Sequence, residues 1–93
     1  MYHLEPTTKF RKELKKIKKN QKDFQAVVAI LRKLEKGGVS EIPQYMRPHK
    51  LKGDYKGNWE CHIKPDLLII WFQIEFPNVI RLVRVGSHSD LFK

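Results

Sequence analysis

The strongest constraint on the fold is a change in the spacing of apolar residues part-way along the chain. Between Phe10 and Leu34, apolar side chains recur every three or four residues, which is the spacing of one helix face. From Trp59 to Val85 they either alternate with polar residues or follow one another directly, as they do in strands. Helices followed by strands are typical of an α+β domain. The sequence therefore predicts a two-helix hairpin packed on a twisted antiparallel β-sheet.

Turn and cap residues place the boundaries of these elements. The first helix has Thr8 as its expected N-cap, and the second begins after Asn20 or Asp23 and ends at Gly37-Gly38. The junction between the two helices is short, so they are expected to run antiparallel. The remaining predicted elements are a short strand over 2–5, a long non-helical connection over 39–57, strands over 59–64, 67–74 and 79–85, and a tail over 87–93.

A chain of 93 residues has room for one hydrophobic core, so residues 1–93 are expected to form a single domain. The longest apolar run, over 67–72, has the length of a strand and not of a membrane span. The N-terminal residues lack the pattern of a signal peptide. The single cysteine, Cys61, excludes an internal disulfide and a multi-cysteine zinc site, and its place in the alternation predicts burial. These features favour a cytoplasmic protein.

The net charge of +9 is concentrated in the helical part, where residues 1–36 carry eleven Lys or Arg against four Asp or Glu. Such a charge predicts an anionic partner, namely a nucleic acid, an acidic protein or an anionic membrane. A second apolar helix would cover the stripe of the first, which disfavours the membrane. Such a charged helix face can simply be exposed to solvent. Its functional interpretation is that the lysines bind the phosphates of a nucleic acid. The residues expected to bind RNA or the ribosome are Lys9, Arg11, Lys12, Lys15, Lys16, Lys18, Lys19, Lys50, Lys52 and Lys56.

Five residues with catalytic side chains lie where strands meet turns, and they are His49, His62, Asp66, Arg84 and His88. Imidazole titrates near neutral pH, so histidine can serve as general base or general acid. A carboxylate can orient or charge an imidazole, and arginine offers a planar fork to phosphate oxygens. The set suits cleavage of an RNA phosphodiester bond, in which the 2′-hydroxyl loses a proton and the leaving 5′-oxygen gains one. This chemistry requires no metal and no cofactor.

Other interpretations of the same residues stay open. Scattered histidines are most often surface or hydrogen-bonded structural side chains. His49, His62, Asp66 and His88 could also be zinc ligands, although the usual close His–His spacings are missing. Phe92 is either a core residue or a platform on which a base stacks.

Four segments, over 49–53, 55–57, 61–70 and 84–92, read HKLKG, YKG, CHIKPDLLII and RVGSHSDLF. The order H-x-L-x-G, H-x-x-P-D and R-x-G-[ST]-H-x-x-L-F resembles the YafQ branch of the RelE/ParE toxin superfamily of bacterial type II toxin–antitoxin systems. The likeness is strong over 47–92 and is mainly one of length and element order over 1–46. One departure is Leu67, since the YafQ pattern has tryptophan directly after the motif aspartate. This change bears on codon preference more than on the chemistry.

The resemblance implies a RelE-like, microbial-ribonuclease-like fold and a ribosome-dependent endoribonuclease that cleaves mRNA in the ribosomal A site without a metal. It also implies a bacterial cytoplasmic location and an acidic antitoxin that joins the toxin in a hetero-oligomer. The implied roles are proton removal and substrate holding for His49 and His62, general base or histidine orienter for Asp66, phosphorane stabilisation for Arg84, general acid for His88, and nucleotide positioning for Phe92.

Two other functions stay open beside this one. A toxin of the same fold could inhibit DNA gyrase without cleaving RNA, as the ParE branch does, although that branch lacks the His/Asp group. A non-catalytic basic module could bind RNA through its charge alone, with a steep salt dependence.

Overall fold

Five strands form one sheet in this computed structural model, which describes residues 1–92. They are β1 (His3–Pro6), β2 (His49–Lys50), β3 (Trp59–Lys64), β4 (Leu67–Ile74) and β5 (Val79–Gly86). The order across the sheet is β1-β5-β4-β3-β2. All neighbours pair antiparallel except β1 and β5, which are parallel and are separated in sequence by every other strand. The predicted α+β class is confirmed, with one parallel pair that the apolar pattern did not reveal.

Two long helices, α1 (Thr8–Ile17) and α2 (Gln21–Gly37), form the predicted hairpin. The prediction of Thr8 as the N-cap of α1 is wrong, because Thr7 holds that position. The Thr7 hydroxyl accepts a hydrogen bond from the Phe10 N–H and donates one to the Val83 carbonyl of β5. The cap therefore also fixes the start of α1 on the sheet.

The second helix begins and ends as the turn residues predicted. The side chain of Asn20, and not that of Asp23, caps its N-terminus, and Gly38 ends it with a φ of 66°. Within residues 1–92, each helix falls short of the length and apolarity needed to cross a membrane.

The main core lies between the helical hairpin and the sheet. Phe10, Ile30 and Leu34 of the helices pack with Trp71 of β4, and all four are at most 1% exposed. Trp59 is half-buried and stacks on Trp71 with ring centroids 6.5 Å apart. Complete burial of side chains this large contributes roughly 1.5–3 kcal/mol each.

The opposite face of the sheet is covered by the long connection and the chain end. Within residues 39–57, the structure forms short 3₁₀ turns and β2 where an irregular loop was predicted. Leu51 and Tyr55 of this connection pack on a small second core of Leu68, Ile70 and Leu91. The predicted tail is in part a short helix, α3 (His88–Leu91), which Ser87 caps. Lys93, the last residue of that predicted tail, lies outside the described residues.

The thiol of Cys61 is expected to be unreactive in the folded protein. Cys61 is fully buried, and this burial, with a smaller contribution from Glu60, raises the pKa of the thiol to about 12. With this pKa, the thiolate fraction at pH 8 should be on the order of 1,000-fold lower than in an unfolded chain. The thiolate is the form that reacts as a nucleophile. Alkylation by iodoacetamide at pH 8 should therefore be at least about 100-fold slower in native than in urea-unfolded protein. Equal rates in the two states would contradict this burial.

Candidate active site

The sheet face that points away from the helical hairpin carries a row of ionisable residues. His49, Glu60, Ile70 and Arg84 pair directly across β2, β3, β4 and β5. Directly paired residues of antiparallel strands point to the same face. Ile70 belongs to the second core, so this face lies opposite the main core. His62 follows Glu60 by two residues on β3 and therefore shares the face.

The two histidines of this face converge on one carboxylate, and His49, Glu60 and His62 are named here the histidine–glutamate cluster. Nε2 of His49 lies 3.3 Å from Oε1 of Glu60, and Nε2 of His62 lies 3.9 Å from the same oxygen. Nδ1 of His49 is 2.7 Å from the Arg47 carbonyl oxygen, which only accepts, so Nδ1 carries a proton. Nε2 is then the ring nitrogen that faces the Glu60 carboxylate. Two imidazoles thus meet one carboxylate at a single oxygen of Glu60.

Glu60 is a site residue that the sequence interpretation missed. Its side chain is 6% exposed, and its Oε2 atom has no hydrogen-bond partner among the described residues. A buried carboxylate oxygen without a donor is unfavourable, and a hydroxyl donor from a ligand would satisfy it. The strand alternation that put His62 on the polar face put Glu60 there too, so the signal was present. The burial of Glu60 could not be predicted from this alternation, because it depends on the pairing of β3 with β2.

Arg84 is 8% exposed, and its guanidinium group is bound on three sides. Nε donates to Oε1 and Oε2 of Glu13 at 3.0 and 2.9 Å, and Nη2 donates to Oε2 at 2.6 Å. Nη1 donates to the Tyr55 hydroxyl at 2.7 Å, and Nη2 reaches the Asp90 carbonyl oxygen at 3.4 Å. The hydrogen bonds to Glu13 raise the pKa of Arg84 above its ordinary value, burial opposes this rise, and Tyr55 adds to it. Arg84 is therefore a charged and firmly oriented group.

Tyr55 connects Arg84 with the C-terminal helix. Its ring meets that of Phe92 edge-on with centroids 6.0 Å apart, and the Phe92 ring lies 5.0 Å from the imidazole of His88. From the turn between β3 and β4, Oδ1 of Asp66 accepts a hydrogen bond of 3.1 Å from the His88 backbone N–H. These five residues are named here the arginine–aromatic cluster.

The structure brings the predicted site residues together in these two clusters. The carboxylate that contacts His49 and His62 is Glu60, whereas Asp66 holds His88 through its backbone. Only β4 separates Glu60 from Arg84, so the two clusters lie about 10 Å apart at the usual strand spacing. Phe92 keeps 38% of its surface exposed, which decides against a core role.

The predicted RNA-binding basic residues are all exposed. Lys9, Lys12 and Lys16 of α1 line a groove of about 320 Å³ that Glu13 and Arg84 also line. The arginine–aromatic cluster therefore opens onto the basic face of α1.

Within residues 1–92, no group of three or more His, Cys, Asp or Glu side chains is arranged to hold a metal ion. In the histidine–glutamate cluster, both Nε2 atoms face the same Glu60 oxygen. The predicted zinc alternative also needed Asp66, whose carboxylate is bound to the His88 backbone.

Comparison with known proteins decides the family. A family model described as a bacterial toxin of type II toxin–antitoxin systems, YafQ, matches residues 2–93. The chain belongs to the YafQ family. This membership confirms the resemblance carried by the sequence motifs.

Individual relatives of this YafQ-family chain agree with the family model. The mRNA interferase toxin YafQ of Escherichia coli K12 is 26% identical over 89 residues, which cover 96% of this chain and 94% of that protein. The structure of the E. coli DinJ-YafQ complex matches with a TM-score of 0.85 and 25% identity over the whole of both chains. A metal-bound toxin from Helicobacter pylori matches with a TM-score of 0.84 and 37% identity, over 99% of this chain and all of that one.

Replacing the site arginine of this YafQ-family protein is expected to destabilise the fold. Arg84→Ala would leave the Glu13 carboxylate, whose side chain is 16% exposed, without its cation. Removing one partner of such a pair should lower the free energy of unfolding by about 2–4 kcal/mol, measured by urea denaturation. Arg81→Ala, an exposed site on the same strand, is the matched control. An equal, small loss for both variants would contradict a stabilising role for the Arg84 pair.

Proposed function

We propose that this YafQ-family protein is the toxin of a type II toxin–antitoxin system and a ribosome-dependent endoribonuclease that cleaves mRNA in the ribosomal A site. The observation that carries the proposal is the placement of the two clusters on one face of the sheet, on either side of β4. The related E. coli protein bears the name mRNA interferase toxin, which supports the same activity here.

The histidine–glutamate cluster would remove the proton from the 2′-hydroxyl. The imidazoles of His49 and His62 are poised next to a buried carboxylate, and Oε2 of Glu60 is ready to accept a hydrogen bond. A neutral imidazole or an ionised carboxylate can accept a proton, so this cluster suits general base catalysis near neutral pH. The attack of the 2′-oxygen on phosphorus would leave a 2′,3′-cyclic phosphate.

The arginine–aromatic cluster would serve the other side of the phosphate. Arg84, permanently charged, would stabilise the negative charge of the phosphorane. His88 would give a proton to the leaving 5′-oxygen, and the exposed Phe92 ring beside it would position the nucleotide by stacking. Asp66 would fix His88 by holding its backbone N–H. The second product would then carry a 5′-hydroxyl.

The basic face of α1 would dock the protein on ribosomal RNA. The lysines of this helix are exposed and lie next to Arg84 through the shared groove, so phosphate contacts there would bring the mRNA to the site. The same charge would attract an acidic antitoxin, which would cover this surface in a hetero-oligomer. The E. coli YafQ protein forms a complex with DinJ, which supports such a partner. Action on ribosomes implies a bacterial cytoplasmic location.

The mRNA cleavage is expected to depend on His88. In a cell-free translation system, primer extension should reveal cuts within codons for the wild type only when ribosomes are present. His88→Gln, which keeps the size and polarity of the exposed side chain, should lower the cleavage rate by about 100-fold or more through loss of the general acid. His3→Gln is the matched control, since His3 is exposed on β1, at the opposite end of the strand order from β2.

Three other outcomes of the primer-extension experiment would overturn part of the proposal. Cuts without ribosomes would make the protein a free ribonuclease of the same chemistry. Full activity of His88→Gln would remove the general-acid role. A folded protein that stops growth and makes no cuts would point to another target, such as DNA gyrase.

The lysines of α1 are expected to set the salt dependence of ribosome binding. The double variant Lys12→Ala/Lys16→Ala removes two phosphate contacts, so the slope of log affinity against log salt should fall by about 1–2. Lys22→Ala/Lys33→Ala on α2 removes the same charge from outside the groove and is the matched control. Identical slopes for the two double variants would show that net charge alone, and not this helix face, governs binding.

A further inference from the structure

We infer that Glu13 is a positioning residue that aims the Arg84 guanidinium at the scissile phosphate. This inference rests on the function proposed above, and it concerns a residue outside the motifs on which the family resemblance is based. Glu13 is the one carboxylate of α1, surrounded in sequence by lysines and arginine.

The carboxylate of Glu13 is fixed by a side chain and a backbone group of β5 at once. It accepts three hydrogen bonds from Arg84, on Nε and Nη2. Its Oε1 atom also accepts the backbone N–H of Val85 at 3.2 Å. Val85 lies on β5 beyond Leu82, where the pairing with β1 ends, so Glu13 completes the hydrogen bonding of an otherwise open strand edge.

This arrangement decides which side of the arginine is left for a substrate. A guanidinium has five N–H donors. Nε and one Nη2 donor bind Glu13, the other Nη2 donor points to the Asp90 carbonyl oxygen, and one Nη1 donor binds Tyr55. The remaining donor is therefore on Nη1, which is the edge next to Tyr55 and hence to Phe92 and His88.

Without Glu13, the fork formed by Nε and Nη2 would be the best phosphate ligand of the site. Such a fork binds a phosphate through two parallel hydrogen bonds, which is stronger than a single bond from Nη1. It also faces the groove lined by Lys9, Lys12 and Lys16, on the basic side of the site. By occupying the fork, Glu13 keeps a phosphate from binding in this orientation and directs it to the edge near His88.

The position of Glu13 is unfavourable for simple RNA binding. A carboxylate among three groove lysines repels phosphates, so its removal should tighten binding if it had no further role. A positioning role predicts that removal of the Glu13 carboxylate slows the chemical step. The two effects can therefore be separated in a single set of measurements.

The test compares Glu13→Gln with Glu35→Gln in single-turnover cleavage of mRNA bound to ribosomes. Both variants remove one negative charge, and Glu35 is exposed on α2. For Glu13→Gln, the cleavage rate at saturating ribosomes should fall about 10- to 100-fold while the half-saturating concentration stays equal or falls. For Glu35→Gln, the rate should change by less than about 2-fold.

A second measurement shows whether Glu13 acts through Arg84. In the Arg84→Lys background, Glu13→Gln should slow cleavage by less than about 2-fold further, because the group that it positions is already gone. Independently of activity, the NMR signal of the Arg84 Nε–H should be protected from exchange in the wild type and in Glu35→Gln, and unprotected in Glu13→Gln. A merely structural role would lower thermal stability but would leave the saturated rate per folded molecule unchanged.

The outcomes separate this inference from the proposed function. Wild-type protein that makes no cuts would overturn both. Wild-type cleavage with an unchanged saturated rate in Glu13→Gln would overturn the positioning role alone. Additive losses from Glu13→Gln and Arg84→Lys would also overturn it, because they would show that the two residues act separately.

Discussion

The pairing register of β2, β3, β4 and β5 is the constraint on which the candidate site depends. Successive residues of a strand point to opposite faces, so a slip of one residue would move Glu60 or Arg84 from the site into the main core. The register is fixed by burial on both faces, since Trp71 must lie under the helical hairpin and Ile70 under the connection. The same packing that stabilises the domain therefore places the ionisable row on one face.

The buried charge of Arg84 links this row to the rest of the domain. A buried guanidinium is stable only when its donors are paired, and its partners come from α1, from the connection before β3 and from the region of α3. One side chain thus joins the basic helix to the aromatic residues around His88. A protein or RNA that shifts α1 on the sheet would also displace Arg84, which links the proposed docking surface to the candidate site.

The sequence predicted most element types and most residues of the candidate site, because apolar spacing and short motifs are local properties. It did not predict the partners of Arg84, since Glu13 and Tyr55 are 71 and 29 residues away and contact it only through the tertiary fold. Glu60 was missed because its burial depends on β2, a strand of two residues that is too short to produce a pattern. The N-cap of α1 differed by one position because Thr7, and not Thr8, reaches both the helix and β5.

The central claim is that the two clusters cleave RNA through attack by the RNA's own 2′-hydroxyl. This nucleophile can be removed from the substrate. The measurement is cleavage of a ribosome-bound mRNA whose A-site codon carries a single 2′-deoxynucleotide on the 5′ side of the cut, compared with the all-ribose mRNA. We predict a 2′,3′-cyclic phosphate and a 5′-hydroxyl from the all-ribose mRNA, and no cut at the 2′-deoxy position although the ribosome still binds the protein. Cleavage of both mRNAs at the same rate would contradict this mechanism, because the attacking group would then be water or a protein side chain.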